Sequence, residues 1–255
     1  MIVPRTMGWR TRLPALGFGV ATQGEDRVSM NIILLGAQGS GKGTQAEMLA
    51  RELHLKPVAS GELLREAMAA GTPLGLRAKP YYDAGDLVPD EIVIGMILES
   101  MRQLGDARGI ILDGFPRNIA QAEALDRALA ASGQRIDAVV YLDVPRAMLE
   151  DRLLNRYVCQ ANGHVWNIKT HPPKVDMLCD FDNSPLIHRS DDTPEKIARR
   201  LEIFFTETIQ LTGYYARAGK LVRVDGAADI AHVNRAILDA LHALLPAEVP
   251  APPAG

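Results

Sequence analysis

Between residues 30 and 50 the chain reads MNIILLGAQGSGKGTQAEMLA, an apolar run that enters four glycines and a lysine and leaves as a helical pattern. Residues 36–42 fit the spacing G-x-x-x-x-G-K. Glycines let a backbone turn sharply and aim several N–H groups at phosphate oxygens. The helix N-terminus that follows adds positive charge. Lys42 supplies a mobile cation for the outer phosphates of a nucleotide, and Thr44, one place later than the usual hydroxyl, can reach Mg2+. A second constellation is GIILDGFPRNIAQAEAL, residues 109–125, in which Asp113 closes an apolar run and Arg117 and Gln121 follow at short intervals. A carboxylate at the end of a buried strand can hold a magnesium-bound water. A third is a set of arginines. Arg152 and Arg156 are four apart, which predicts one face of one helix, and Arg189 and Arg200 flank the stretch SDDTPEKIA. Arg200 lies beside an apolar stripe, an expensive place for an unpaired charge. Any one of these arginines is also compatible with an ordinary surface ion pair.

The elements that position these groups are visible in the apolar pattern. Short runs rich in Ile, Val and Leu occur at 31–35, 109–113, 138–143 and 221–224. Their continuous apolarity predicts strands buried on both faces, as in a parallel sheet. Ala46, Leu49, Ala50 and Leu53 recur at helical spacing, and Ile197, Leu201, Phe204, Phe205 and Thr208 do much the same. Thr193 as N-cap and Pro194 at the first helical position open the second of these helices. Strands alternating with helices predict a doubly wound α/β fold. Residues 157–189 break the pattern with turn residues, two consecutive prolines, both cysteines and short β-like pieces, which predicts a small inserted subdomain.

Composition narrows the function classes. The 255 residues are 47% hydrophobic and 23% charged with a net charge of −3, an ordinary globular balance. A dedicated nucleic-acid binder would carry a strongly basic face, and no apolar run approaches the ~20 residues that span a bilayer. Two cysteines are too few for a disulfide framework, so a reducing cytoplasm is expected. Residues 1–29 carry three arginines before their first acid. They read either as a targeting presequence or, the preferred reading, as an over-called start with Met30 the functional first residue. Residues 247–255 are rich in proline and alanine and are expected to be a disordered tail.

The GKGTQ form of the glycine loop is that of nucleoside monophosphate kinases, and residues 36–44 resemble adenylate kinase in particular. Gln38 stands where that family usually has proline, which removes a stiffening ring but no phosphate donor. The resemblance continues in order from Met30 to about Leu245. It implies a P-loop NTPase-like doubly wound parallel sheet core (30–58, 89–154, 193–246) with two inserted flaps, an NMP-binding flap (59–88) and a LID (155–192). It implies ATP bound by Gly39, Ser40, Gly41, Lys42, Gly43, Thr44, Arg152, Val165, Trp166 and Ala228. It implies AMP bound by Ser60, Arg65, Asp86, Leu87, Val88, Gly114, Phe115, Pro116, Arg117, Gln121, Arg189 and Arg200. Lys42, Arg117, Arg156, Arg189, Arg200 and Asp113 are the implied catalytic set, with Asp191 and Asp192 orienting the arginines or setting the lid hinge. The implied activity is reversible phosphoryl transfer from ATP to AMP with Mg2+, by a monomer with no nucleic-acid or membrane partner. Transfer from GTP to AMP, phosphorylation of UMP or CMP, and a non-catalytic nucleotide-binding module are the alternatives. The long lid argues against typical UMP/CMP kinases, Ser60 and Gln121 favour adenine, and retention of Lys42 and the arginines argues against lost catalysis.

The lid of such proteins is held either by zinc or by a polar network. The corresponding positions here read Cys159, Asn162, Cys179 and Asp182, and asparagine is a poor zinc ligand. His164 stands close by, giving C-x4-H…C-x2-D, an acceptable zinc set of Cys159, His164, Cys179 and Asp182. Both readings stay open, the metal-free lid favoured. A Cys159–Cys179 disulfide is disfavoured in the cytosol.

Overall fold

Strand β1 (Ile32–Leu35) shows in four residues how the chain builds two layers around one sheet. Side chains alternate across a strand. Ile33 and Leu35 pack into one apolar cluster and Ile32 and Leu34 into another, all at most 3% exposed. Each such burial contributes roughly 1.5–3 kcal/mol. The computed structural model describes residues 30–84, 88–189 and 192–245. The expectations for residues 1–29, for Asp86, Leu87 and Asp191, and for the tail fall outside the described residues.

After β1 come α1 (Lys42–Leu53), β2 (Lys56–Ala59), α2 (Ser60–Ala69), α3 (Pro73–Ala84) and α4 (Asp90–Arg102). Next are β3 (Ile110–Asp113), α5 (Ile119–Ala131), β4 (Ala138–Asp143) and α6 (Arg146–Leu154). The short strands β5 (Arg156–Cys159), β6 (Val165–Asn167) and β7 (Leu186–His188) follow. Then come α7 (Pro194–Ile203), a π-helical turn (Phe204–Thr208), α8 (Gln210–Arg217), β8 (Leu221–Asp225) and α9 (Ile230–Leu244). The main sheet has the order β2-β3-β1-β4-β8, and its pairings are parallel throughout. Helices α1 and α9 contribute to the apolar cluster on one face, and α4, α5, α6, α7 and α8 to that on the other. This is the doubly wound α/β fold expected, with α2–α3 and the antiparallel sheet β6-β5-β7 as excursions from it. Among the described residues no helix is long and apolar enough to cross a membrane.

The four expected strands are present within a residue at each end, and Thr193 caps α7, its side chain accepting from Lys196 N, with Pro194 at the first turn. Three local details differ from expectation. Strand β2 was not legible, because it is an edge strand containing Pro57 and only Val58 is buried. The apolar series from Ile197 to Thr208 is not one helix, since the chain widens into a π turn at Phe204. There Thr206 Oγ1 donates back to the Glu202 carbonyl at 2.9 Å, the kind of back-bonding that distorts helices. Finally, Arg156 does not share a helical face with Arg152. Helix α6 ends at Leu154, Asn155 bonds back to the Asp151 carbonyl through both its backbone N and its Nδ2, and Arg156 opens β5.

Candidate active site

Parallel strands deliver their C-terminal ends to one edge of a sheet, and ligands of open α/β sheets bind outside that edge. The register Leu34↔Asp113 sets the Asp113 carboxylate beside the end of β1, where the glycine loop begins. Gly39 and Gly41 adopt left-handed φ values of +84° and +93°, which glycine reaches without strain. A Cβ at Gly39 would meet Leu153 Cγ at 3.0 Å and the Leu149 carbonyl at 3.2 Å, so the loop lies against α6. Gly41 is the N-cap of α1. Ser40 is buried, and among the described residues its Oγ has no hydrogen-bond partner, which leaves the hydroxyl able to serve a ligand in the loop.

Lys42 Nζ donates to the carbonyls of Gly36 at 2.7 Å and Ala37 at 2.9 Å. Desolvation lowers its pKa, Asp113 opposes this, and Arg156 and Arg117 push it lower still. Asp113, Arg156 and Arg117 therefore all sit close enough to act on Lys42. Asp113 supplies hard carboxylate oxygen and Thr44 an exposed hydroxyl, a donor set that fits Mg2+ rather than a soft metal.

On the β3 side, Ser60 is buried at the start of α2. A Cβ at Gly114 would sit 3.0 Å from Ser60 Oγ and 3.9 Å from Arg117 Nη2, so this glycine lets the two side chains converge. The Phe115–Pro116 peptide is cis. Arg117 Nε donates to the Gly114 carbonyl at 2.9 Å. Gln121 Oε1 accepts from Arg117 N at 2.7 Å, and Gln121 Nε2 donates to Asp90 Oδ1 at 2.8 Å. Arg65 is exposed on α2, and Val88 is half-buried against the core.

On the other side, Arg152 is half-buried on α6 and reaches the Gly226 carbonyl with both terminal nitrogens at 3.1 Å, and the Gly39 carbonyl at 3.4 Å. It thus ties the glycine loop to the turn after β8, in which Ala228 is exposed. Arg156 grips Asp192 with Nε and Nη2, and Arg200 Nη2 reaches Asp192 Oδ1 at 2.6 Å. Burial pushes the Asp192 carboxyl up, but hydrogen bonds from Arg156 and Arg200 outweigh it and hold the pKa low. Arg189 follows β7, and its carbonyl accepts from Asp192 N at 3.0 Å. Val165 is exposed on β6, whereas the Trp166 side chain lies in the small apolar core of the antiparallel sheet, stacked on His171.

That core contains both cysteines as free thiols. Ligand atoms of Cys159, His164, Cys179 and Asp182 all lie within 4.8 Å of one another. Cys159 Sγ approaches Asp182 Oδ2 at 3.1 Å, and Cys179 Sγ meets His164 Nδ1 at 3.4 Å. Two thiols, an imidazole and a carboxylate are donors that suit a tetrahedral zinc. Asn162 is a supporting group: its Nδ2 donates to Asp182 Oδ2 at 2.6 Å. The Ser184 backbone N–H, then Asn162 and Cys159, hold the Asp182 carboxyl well below its usual range.

Sequence reasoning did not single out Asp90, two residues past Val88, nor did it foresee the Gly226 carbonyl under Arg152. Neither is signalled by residue type, because both act through contacts distant in sequence.

Comparison with known proteins bears on the same residues. The adenylate kinase family model matches residues 34–220. An adenylate kinase of Nitrosococcus oceani is 48% identical over 209 residues, covering 82% of this chain and 96% of the relative. One of Carboxydothermus hydrogenoformans is 44% identical over 212 residues, 83% of this chain and 99% of the relative. One of Staphylococcus aureus is 39% identical over 212 residues, with the same coverage. The matched residues 34–220 take in the glycine loop, both excursions and the site arginines from Arg65 to Arg200, and the chain belongs to the adenylate kinase family.

Proposed function

We propose that this chain moves the terminal phosphoryl group of ATP to AMP, giving two ADP, and reverses the reaction. What carries the reading is the convergence of cations at the glycine loop: Arg156 and Arg200 are held together on the Asp192 carboxylate, and Arg156 and Arg117 come near enough to Lys42 to add to the desolvation that lowers its pKa, with Asp113 opposing. Gathering like charges is unfavourable unless an anion joins them, and phosphoryl transfer needs in-line positioning with positive charge around the moving group. Lys42, Arg156, Arg189 and Arg200 face the transferring phosphates, and the backbone of the glycine loop cradles those of the donor. Arg152 covers the donor's base, beside the backbone of Val165 and Trp166 and near Ala228. Ser60, Arg65, the segment 86–88, Gly114 to Arg117 and Gln121 hold the acceptor, with Arg117 on its phosphate and Gln121 on its base. Mg2+ held near Asp113 and Thr44 would neutralise charge on the donor phosphates. No general base is required, because the acceptor phosphate is already anionic. Flaps at 59–88 and 155–192 close over the two nucleotides and exclude water that would hydrolyse ATP.

Cys159, His164, Cys179 and Asp182 would hold a structural Zn2+ in the lid, where two thiols, an imidazole and a carboxylate come together. The protein works as a monomer in the cytoplasm; the two free thiols support the second point, since a reducing compartment keeps cysteines unpaired. The test is a transfer assay with Mg-ATP offered AMP, UMP, CMP or dGMP, and with GTP replacing ATP. Rapid ADP formation with AMP alone is expected. Equal transfer to a pyrimidine nucleotide, or binding without transfer, would overturn the assignment.

A further inference from the structure

Gln121 is held at both ends of its side-chain amide by groups that can each play a single role. The backbone N–H of Arg117 donates to Oε1 at 2.7 Å, and Asp90 Oδ1 accepts from Nε2 at 2.8 Å. A backbone N–H cannot accept, and an ionised carboxylate cannot donate. Turning the amide over would set Nε2 against the N–H and Oε1 against the carboxylate, so both contacts would turn repulsive together. The backbone beneath is fixed as well, since Gln121 N donates to Asn118 Oδ1, the N-cap of α5, at 2.9 Å. Asp90 is the first residue of α4. Ile94 and Ile97 of α4 share one apolar cluster with Ala122 and Leu125 of α5, so the two helices carry Asp90 and Gln121 in a fixed relation.

We propose that Asp90 is a specificity-determining positioning residue: by holding Gln121 Nε2 it locks the amide in the orientation that accepts a 6-aminopurine nucleotide and rejects a 6-oxopurine one. The inference rests on the reading of Gln121 as the group that faces the acceptor's base. A primary amide has two N–H groups and two carbonyl lone pairs. The contacts to Asp90 and Arg117 use one of each, leaving one donor and one acceptor in a fixed order. Adenine presents a donor at N6 and an acceptor at N1. Hypoxanthine and guanine present an acceptor at O6 and a donor at N1, the reverse order. With the phosphate anchored, the base cannot turn over to compensate, and a site built for one hydrogen-bond pattern discriminates strongly against the other.

A purely structural role for Asp90 would be to favour the positive N-terminus of α4. Glu91, the next residue, also lies in that first turn. Its carboxylate pairs with Arg77 at 2.9 Å and not with Gln121. Helix stabilisation is thus available without Asp90, whereas the bond to Gln121 is specific to it.

The experiment measures steady-state kinetics with Mg-ATP and either AMP or IMP for the parent, Asp90→Ala, Asp90→Asn and Gln121→Ala. In Asp90→Ala, KM for AMP is expected to rise about 10-fold, with KM for ATP within about 2-fold and the AMP:IMP ratio of kcat/KM falling about 10-fold. Asp90→Asn separates affinity from selectivity. Its Oδ1 can still accept from Nε2, so KM for AMP stays near the parent's, but its Nδ2 can support the turned amide, which leaves the Arg117 N–H as the one contact opposing the turn, so the AMP:IMP ratio falls in part. The isosteric asparagine also carries the test if the alanine variant does not fold. An unchanged AMP:IMP ratio in both Asp90 variants, or parallel rises in KM for AMP and ATP, overturns the proposal. If Gln121→Ala raises KM for AMP while the Asp90 variants match the parent, only the lock is wrong. If Gln121→Ala changes nothing, the placement of the acceptor's base is wrong and the lock falls with it.

Discussion

Arg156 meets Asp192 through both arms of its guanidinium, Nε to Oδ2 at 2.8 Å and Nη2 to Oδ1 at 2.7 Å. The two come from β5, the first strand of the antiparallel sheet, and from the chain just before α7. Asp192 is fully buried, and Arg200 binds the same carboxylate. One anion thus pre-assembles two of the cations proposed to face the transferring phosphate.

Replacing Asp192 by alanine should therefore act on stability and rate together. Breaking a buried, hydrogen-bonded pair from one side costs about 3–5 kcal/mol, and misplaced transition-state donors cost on the order of 10²-fold in kcat. The pH dependence follows from the depressed pKa of Asp192. Because the folded value lies below the unfolded one, near 3.8, the unfolded chain binds the extra proton. This stability is therefore present above the unfolded value and is lost as pH falls through the folded one. Thermal unfolding from pH 6 to pH 3 should show a weaker acid loss in Asp192→Asn than in the parent. An identical acid limb would mean that other carboxylates dominate it.

Lys42 makes the opposite prediction. Its pKa is lowered chiefly by desolvation, so its charge opposes folding of the unliganded protein. Lys42→Met should lose on the order of 10²–10³ in transfer rate and yet melt no lower than the parent without nucleotide. The stabilisation given by bound ATP should shrink in the variant, because the phosphates lose their cation. A marked fall in the melting temperature without ligand would show that the bonds to the Gly36 and Ala37 carbonyls matter more than the cost of burying the ammonium.

What the sequence disclosed and what it hid differ in physical range. The glycine loop was legible because its chemistry is contained in nine consecutive residues, and the central strands because burial on both faces leaves unbroken apolar runs. Strand β2 was hidden, since an edge position asks for little apolarity and tolerates Pro57. Arg156 was assigned to α6 because spacing alone cannot see that Asn155 ends the helix and that β5 then pairs with both β6 and β7. The partners of the site residues were hidden more deeply. Arg152 bonds to a carbonyl 74 positions away, and Gln121 to a carboxylate 31 positions away. Residue types announce that phosphates are handled; only the fold says what holds each handling group still.

The lid cluster predicts metal dependence. Protein purified without chelator should contain about one zinc per chain, and removing it should lower the melting temperature by several degrees or more. His164→Ala should lose the metal, whereas Asn162→Ala, which removes only a hydrogen-bond donor to Asp182, should retain most of it. Elemental analysis of the three proteins decides. A metal-free parent whose melting is indifferent to chelator would mean that Cys159, Asn162 and Asp182 hold the lid by hydrogen bonds alone.

Arg152 offers a test of the donor side that leaves the acceptor untouched. Its two terminal nitrogens converge on the Gly226 carbonyl and one also reaches Gly39, which fixes the plane of the guanidinium between the glycine loop and the turn after β8. A planar cation held in this way can stack on a nucleobase, an interaction worth about 1–2 kcal/mol when partly desolvated. Arg152→Ala should raise KM for ATP about 10-fold, with KM for AMP within about 2-fold. Arg152→Lys should behave nearly as badly, because a lysine keeps the charge but has neither the plane nor the fork that spans the contacts. Full rescue by lysine would mean that the charge alone serves, most simply by attracting the donor's phosphates. Equal effects on both KM values would mean that the loss of the Gly226 tether has loosened the loop itself, and that Arg152 acts on the donor through the cradle rather than through the base.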